Sequence, residues 1–284
     1  MHALLDGNWR IARDTENRGR EGKWYDAIPQ GAPTGDRLAF NISDAATFPP
    51  GQGKFLTWGV DEEVCGFLAA RGFTCEPYAP QKEGTHKPRA ILVGDVPATS
   101  GNRECWNSLR QEIDAGAHVI VLSANPFRTD MAKHDDAAQA EPGKHPWHDM
   151  LQSRNFHDWL HHRECVGKRH PVFSGLQSGG ILDWEYWGEV VGHDWFAMPQ
   201  NPCDVIAAGC AVGYSCPGGY DSGILIGLQR VGKRSLLFNS LALLEHLGRH
   251  PAADKLLLNM LALDINKVRP AQAATETERN DPWT

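Results

Sequence analysis

Three short stretches hold side chains whose types and spacing could support chemistry. Residues 157 to 161 read His157-Asp-Trp-Leu-His161, and on a helix the two imidazoles share one face at the i, i+4 separation of zinc-protease ligands. Asp158 stands where those enzymes carry the longer glutamate that serves as general base. A third ligand would have to come from Glu164, Cys165, His170 or His193, and spacing selects none of them. With His162, Arg163 and Lys168 close by, the stretch reads as a solvated helix face. No metal and no other cofactor is expected.

The second stretch, Asp183-Trp-Glu-Tyr-Trp187 with Gly192-His-Asp-Trp-Phe196, gathers three of the ten tryptophans beside carboxylates. Aromatic faces next to acids are what a sugar-binding surface uses, since rings stack on C–H faces and carboxylates take up hydroxyls. Such rings also fill cores and interfaces. Trp184, Trp187, Trp195 and Glu185 are therefore the candidate substrate-binding residues. Asp183, Glu185, Glu189 and Asp194 can supply an acid/base pair in principle, but a glycosidase needs two carboxyls at a defined separation that sequence does not set. The third stretch, Asp221-Ser222-Gly223, has the order of a serine nucleophile yet follows glycine-rich chain and reads as a turn.

Composition narrows the classes around these residues. The chain has 284 residues, 41% hydrophobic and 22% charged, near ordinary globular usage. A formal net charge of −7 and a pI near 6.0 repel phosphate backbones, and basic clusters such as 163–169 are broken by acids, so no nucleic-acid partner is expected. No run approaches the ~20 apolar residues of a membrane helix, and the start lacks the basic and apolar regions of a signal peptide. A cytoplasmic protein with no membrane partner is the expectation. The seven cysteines are irregularly spaced with no C-x-x-C pair, which reads as reduced, structural thiols.

The elements that must position these residues alternate from Asp36 onward, as strands and helices do around a mostly parallel sheet. Asp61–Gly72 opens with acids, puts Val64, Phe67 and Leu68 on one face and stops at glycine, which predicts a helix. Residues 73–78 predict a peripheral strand, because Pro77 cannot donate to a ladder. Residues 90–93 and 118–122 predict buried strands joined by a helix that carries Trp106, Leu109 and Ile113 up to Gly116. That order implies a parallel crossover. Residues 129–149 show no apolar period and read as a long mobile loop.

Residues 205–208, 223–228 and 235–238 predict strands, the last two joined by a tight turn, giving an antiparallel extension. Asn239 or Ser240 is expected to cap a helix lined by Leu241, Leu244 and Leu247, and Pro251 to open a final helix through Leu263. The polar tail from 269 to 284 is expected to fray.

Two segments carry a family resemblance. His170-Pro-Val-Phe-Ser-Gly-Leu176 with Gly180-Ile-Leu-Asp-Trp-Glu-Tyr-Trp187 resembles class I glutamine-amidotransferase-like domains, of the kind attached to bacterial β-galactosidase-type glycoside hydrolases and related to trehalose-utilisation-like proteins. Gly219-Tyr-Asp-Ser-Gly223, Gly232-Lys-Arg-Ser-Leu-Leu-Phe-Asn239 and Pro251-Ala-Ala-Asp-Lys-Leu-Leu-Leu-Asn259 are similar to the closing strand and helices of the same domains. The resemblance spans roughly residues 50 to 265. It implies a flavodoxin-like three-layer α/β sandwich over 36–268. A separate likeness lies in residues 1–35, where Leu5-Asp-Gly-Asn-Trp9 with Asp14, Asn17, Gly19 and Trp24 resembles the opening strand of the sugar-binding domain of family 2 glycoside hydrolases.

True class I amidotransferases expose a cysteine on a Gly-x-Cys-x-Gly elbow. Here the strand ending at Leu122 runs into Ser123-Ala-Asn-Pro-Phe127, which has no cysteine, and Gly213-Tyr-Ser-Cys216-Pro-Gly218 is only a partial match. The expectation is therefore a non-catalytic or degenerate amidotransferase-like domain linked to carbohydrate metabolism, acting in assembly or sugar binding. A homo-oligomer is what the resemblance implies. The alternative is a carbohydrate-active hydrolase using Asp95, Asn125, His193 and Asp194 at the carboxyl ends of strands, where open α/β sheets bind ligands. Convergence of those four in one pocket favours the enzyme, and scatter favours the scaffold.

Overall fold

The computed structural model of the chain describes residues 48, 51–81, 89–97, 99–129, 145–155, 164–197, 203–212, 220–231 and 234–265. At 100, 184, 185, 212, 220, 231 and 234 only the backbone is described. The segment 1–35, the tail 269–284, His157, His161 and Cys216 lie outside the described residues.

Short apolar runs become strands and amphipathic runs become helices in the order β1 (Gly53–Trp58), α1 (Glu62–Ala69), β2 (Phe73–Pro77), β3 (Ala90–Val93), α2 (Arg103–Asp114), β4 (His118–Val121). Then come β5 (Ser153–Asn155), β6 (Glu164–Gly167), β7 (Gly180–Ile181), α3 (Trp184–Trp187), β8 (Asp194–Phe196), β9 (Cys203–Val212), β10 (Tyr220–Val231), β11 (Arg234–Asn239), α4 (Leu243–His246) and α5 (Pro251–Leu261). The main path of the sheet runs β2-β1-β3-β4-β11-β10-β9-β6-β7. Strands β2 through β11 on that path are parallel, so the helix between β3 and β4 is a parallel crossover as its sequence predicts.

The sheet is mixed and not mostly parallel. Among the described residues six antiparallel pairings stand against four parallel ones. Short strands β5, β6, β7 and β8 are too brief to show a period in sequence, and they extend the antiparallel half.

Period-2 alternation sends neighbouring strand residues to opposite faces. Leu92, Ile120 and Leu237 join one buried cluster with Val64 and Leu68 of α1 and Leu256 and Leu257 of α5. Ile91, Val93, Val119, Val121, Leu236 and Phe238 join the other with Trp106, Leu109 and Ile113 of α2. Helices thus cover both faces of an α/β sheet. No helix among the described residues is long and apolar enough to cross a membrane.

Three local expectations need correction. Residues 145–149 are not loop in free solution: Trp147 is fully buried, 4.9 Å from Trp106 by ring centroids, and its Nε1 donates to the Trp106 carbonyl at 2.9 Å. Aromatic burial there overrides the polar composition; residues 130–144 lie outside the described residues. Asn239 and Ser240 do not cap a long helix. Asn239 instead brackets Leu241, accepting its N–H at 3.3 Å and donating to its carbonyl at 2.9 Å, and α4 is a single turn. Asp221-Ser222-Gly223 is no turn either but the start of long strand β10, with Asp221 ion-paired to Arg154.

Candidate functional site

The carboxyl ends of β1, β3, β4 and β11 open into one cleft of about 840 Å³, within the usual range for small-molecule sites. It lies where strand order reverses around β1, with β2 on one side and β3 on the other, the place where open α/β sheets bind ligands. The backbones close tightly at that point. Gly59 takes φ +67°, and a Cβ on Gly94 would fall 2.0 Å from the Gly59 carbonyl oxygen. Side chains at either position would push β1 and β3 apart at the cleft floor.

Asp95, Asn125, His193 and Asp194 all line this cleft. Asp95 follows β3 and accepts a hydrogen bond from Asn125 Nδ2 at 2.9 Å. Asn125 opens a short 3-10 turn after β4, and its N–H donates to Ser123 Oγ at 3.2 Å. Both Asp95 and Asn125 are exposed to the cleft. His193 is exposed just before β8. Asp194 is committed to the protein on one oxygen, where Oδ1 accepts from Arg128 Nη2 at 2.5 Å and Asn155 Nδ2 at 3.2 Å. It therefore anchors β8 to its neighbours while standing at the cleft wall.

Sequence reasoning missed the rest of the lining. Asp61 and Glu63 come from the N-terminus of α1, and Glu245, His246 and Arg249 from α4 and the loop behind it, whereas Glu189, already a candidate acid in the sequence, stands in the turn after α3. Recognising β1 as a strand would have flagged Asp61 and Glu63, since they follow it directly. Asp61 caps α1, its Oδ1 accepting the Val64 N–H at 2.8 Å.

The tryptophans behave differently from expectation. Trp187 is fully buried, packed edge-on against Phe173 at 5.6 Å. Trp195 is fully buried in a slot between two strand glycines, where a Cβ on Gly223 would meet its ring at 2.4 Å and one on Gly209 at 3.1 Å. Neither ring has a face left for a sugar. They are core residues, and the glycines of β9 and β10 exist to admit Trp195. Trp184 and Glu185 belong to the α3 turn, and only their backbone is described. Asp183 holds that turn, accepting the Tyr186 N–H at 2.9 Å and Gln177 Nε2 at 3.2 Å.

None of the described cysteines lines the cleft. Among the described residues no group of three or more histidine, cysteine, aspartate or glutamate side chains is arranged to hold a metal ion.

No family model and no curated protein matches the chain. Solved structures resemble it at low scores. A cytoplasmic protein from Salmonella typhimurium gives a TM-score of 0.46 at 10% identity, covering 74% of this chain and 97% of that one. A GMP-synthase-type protein from Thermoplasma acidophilum gives 0.43 at 8% identity, covering 74% and 92%. A ThuA-like protein from Bacteroides uniformis gives 0.38 at 11% identity, covering 78% and 93%.

Proposed function

We propose that the chain is an amidotransferase-like α/β protein of flavodoxin-like layering, with no cysteine elbow after β4, that binds a neutral carbohydrate-class ligand in its strand-end cleft. The observation that carries this reading is the convergence of Asp95, Asn125, His193 and Asp194 in one cavity of ligand size. Carboxylates accept from sugar hydroxyls, and the amide both donates and accepts. Phosphorylated ligands fit poorly. The N-terminus of α1, where a phosphate would sit, is already capped by Asp61 and loaded with Glu62 and Glu63. Six carboxylates line the cleft against Arg249 as its lining arginine.

The test is a thermal-shift panel of neutral sugars, sugar phosphates and divalent metals on the purified chain. A neutral sugar at a hundred times its Kd is expected to add about 2.7 kcal/mol of stability. Asp95→Ala removes a charged acceptor and is expected to weaken that sugar about tenfold or more. A panel flat for every sugar, or a shift that Asp95→Ala leaves unchanged, sinks the reading.

A second reading, a carbohydrate-active hydrolase, is favoured by that same convergence, which is what separates an enzyme from a bare scaffold, and by His193 being exposed in the same cleft as the carboxylates of Asp95 and Glu189. An imidazole beside carboxylates can serve as general base. If it does, His193→Ala abolishes turnover of a bound sugar substrate while the thermal shift persists.

Assembly is the remaining part of the proposal. Val166 and Ile181, cross-strand partners at the β6–β7 end of the sheet, are 46% and 55% exposed. A homo-oligomer that covers them is expected to give a light-scattering mass above one chain, and to dissociate in a Val166→Lys variant. A clean monomer at high concentration removes this part.

A further inference from the structure

Strands β3 and β4 are parallel neighbours with Val93 opposite Val121, so the residues that follow them leave the sheet side by side. Asp95 follows β3 and Asn125 opens the 3-10 turn after β4. Backbone bonds fix both positions: the Gly94 N–H donates to the Trp58 carbonyl at 2.9 Å, and the Arg128 N–H closes the turn on the Asn125 carbonyl at 3.2 Å. The two side chains meet in the cleft, where Asn125 Nδ2 donates to Asp95 Oδ2 at 2.9 Å. The reverse amide orientation would set Asn125 Oδ1 against a carboxylate, two acceptors with no proton between them. Charge therefore fixes which end of the amide faces Asp95.

That bond leaves a definite set of unused groups. Asp95 Oδ1 and Asn125 Oδ1 accept from no described residue, one Nδ2 hydrogen of Asn125 remains to donate, and both residues are exposed to the cleft. Two acceptors on side chains bonded to each other call for two donors on neighbouring ligand atoms, and the spare N–H calls for an acceptor beside them. A hydroxyl both donates and accepts, so a pair of adjacent hydroxyls uses all three groups. A guanidinium or ammonium only donates and leaves the amide hydrogen without a ligand partner.

We propose that Asp95 and Asn125 read a vicinal diol on the ligand's sugar ring, in a free sugar or in the ribose of a nucleoside. One hydroxyl donates to Asp95 Oδ1, its neighbour donates to Asn125 Oδ1, and the free Nδ2 hydrogen bonds a hydroxyl oxygen. This ligand class rests on the sugar-binding role proposed above and narrows it, since two adjacent hydroxyls, and not neutrality alone, then decide affinity. Each side chain holds the other before the ligand arrives, so little ordering cost falls on binding. Asp95 supplies the charged acceptor and the larger share of the discrimination, Asn125 the neutral acceptor and the smaller.

The experiment is titration calorimetry on the full chain with galactose, mannose, glucose and adenosine, each beside analogues in which one ring hydroxyl at a time is replaced by hydrogen, and with methylguanidinium. Two hydroxyls on adjacent carbons are expected to stand out, loss of one weakening binding about tenfold or more and loss of the other about threefold or more. In Asn125→Ala the smaller penalty is expected to vanish while the larger persists, whereas a merely structural role weakens parents and analogues alike. Sensitivity at the 2′- and 3′-hydroxyls of adenosine identifies a nucleoside, and sensitivity within a hexose identifies a free sugar. Sugars that bind with no hydroxyl preference, with sensitive hydroxyls that are not adjacent, or with equal weakening of parents and analogues in Asn125→Ala overturn the diol and leave sugar binding standing. A panel in which no sugar or nucleoside binds, or in which methylguanidinium binds tighter than every diol, overturns both. The analogue series on the unsubstituted chain decides the matter even if Asn125→Ala fails to fold.

Discussion

Truncating Glu112 to alanine is expected to destabilise the protein by about 3–5 kcal/mol, the usual loss when one partner of a buried ion pair is removed. Its side chain is fully buried on α2. It accepts from Arg89 Nε at 2.8 Å, Tyr78 Oη at 2.9 Å and Gln81 Nε2 at 3.3 Å. Arg89 directly precedes β3 and Tyr78 directly follows β2, so one carboxylate joins α2 to the ends of two strands. Burial also pushes the Tyr78 phenol up, keeping it a proton donor to this acceptor.

Without Glu112 the Arg89 guanidinium and the Tyr78 hydroxyl lose their carboxylate acceptor in a part-buried site, and Arg89 keeps the Ala79 carbonyl at 3.2 Å as its one acceptor among the described residues. Urea unfolding should show the midpoint fall with an unchanged slope. Glu112→Gln keeps the volume and one acceptor and should lose less. The double variant Arg89→Met, Glu112→Leu should recover part of the loss, because it leaves no charge stranded. Equal stability of Glu112→Ala and the unsubstituted chain would falsify the assignment of this network as a structural anchor.

The second large effect is acid lability below pH 6.5. Burial pushes His118 down to about 4, against a smaller opposing effect from its hydrogen bond to Ser235. Burial, then the charges of His148 and Arg103, pushes His145 down to about 3. The His118 ring sits where β4 pairs with β11, its Nδ1 3.0 Å from Ser235 Oγ. The His145 ring lies between Trp106 and Phe127, 4.6 Å from each by centroids.

Both imidazoles stay neutral in the folded chain while the unfolded chain takes up protons from about pH 6.5 downward. Stability from keeping them neutral is therefore complete above pH 6.5 and is lost as pH falls toward about 4 and about 3. Each residue removes about 1.4 kcal/mol per pH unit across its window. For His118 the full loss is about 3 kcal/mol. Urea midpoints measured from pH 7.5 to 4.5 should fall steeply. His118→Gln, which retains a side chain able to bond Ser235, should flatten the slope by about one proton's worth, and an unchanged slope would remove His118 from the account.

Much of the parallel half of the fold is legible in the residues themselves. Val64, Leu68, Trp106, Leu109 and Ile113 repeat at helical spacing, and Leu92 and Ile120 alternate with neighbours that face the opposite layer. Local period fixes these elements because each is long enough to bury a continuous stripe. Asp95, Asn125, His193 and Asp194 could be nominated because strand ends are where α/β sheets expose chemistry. Their shared cleft could not be read, since Asn125 and His193 come from distant parts of the chain and meet only when β8 and β4 are placed around β10 and β11.

The tryptophans mark the opposite limit. Trp187 and Trp195 sit beside acids in sequence, and composition alone cannot distinguish a stacking platform from a core plug. What decides is tertiary: Gly209 and Gly223, on two different strands, leave a slot that only the Trp195 ring fills. The same holds for Trp147, whose polar neighbours hide a ring that packs on Trp106 from 41 residues away. Sequence by itself determined the α/β alternation, the acidic start of α1 and the absence of a cysteine elbow after β4, because those depend on neighbours along the chain. Only the tertiary structure decided which acids face one another, which rings are buried and that Glu112 rivets α2 to the sheet, because burial and long-range pairing depend on residues brought together from far apart.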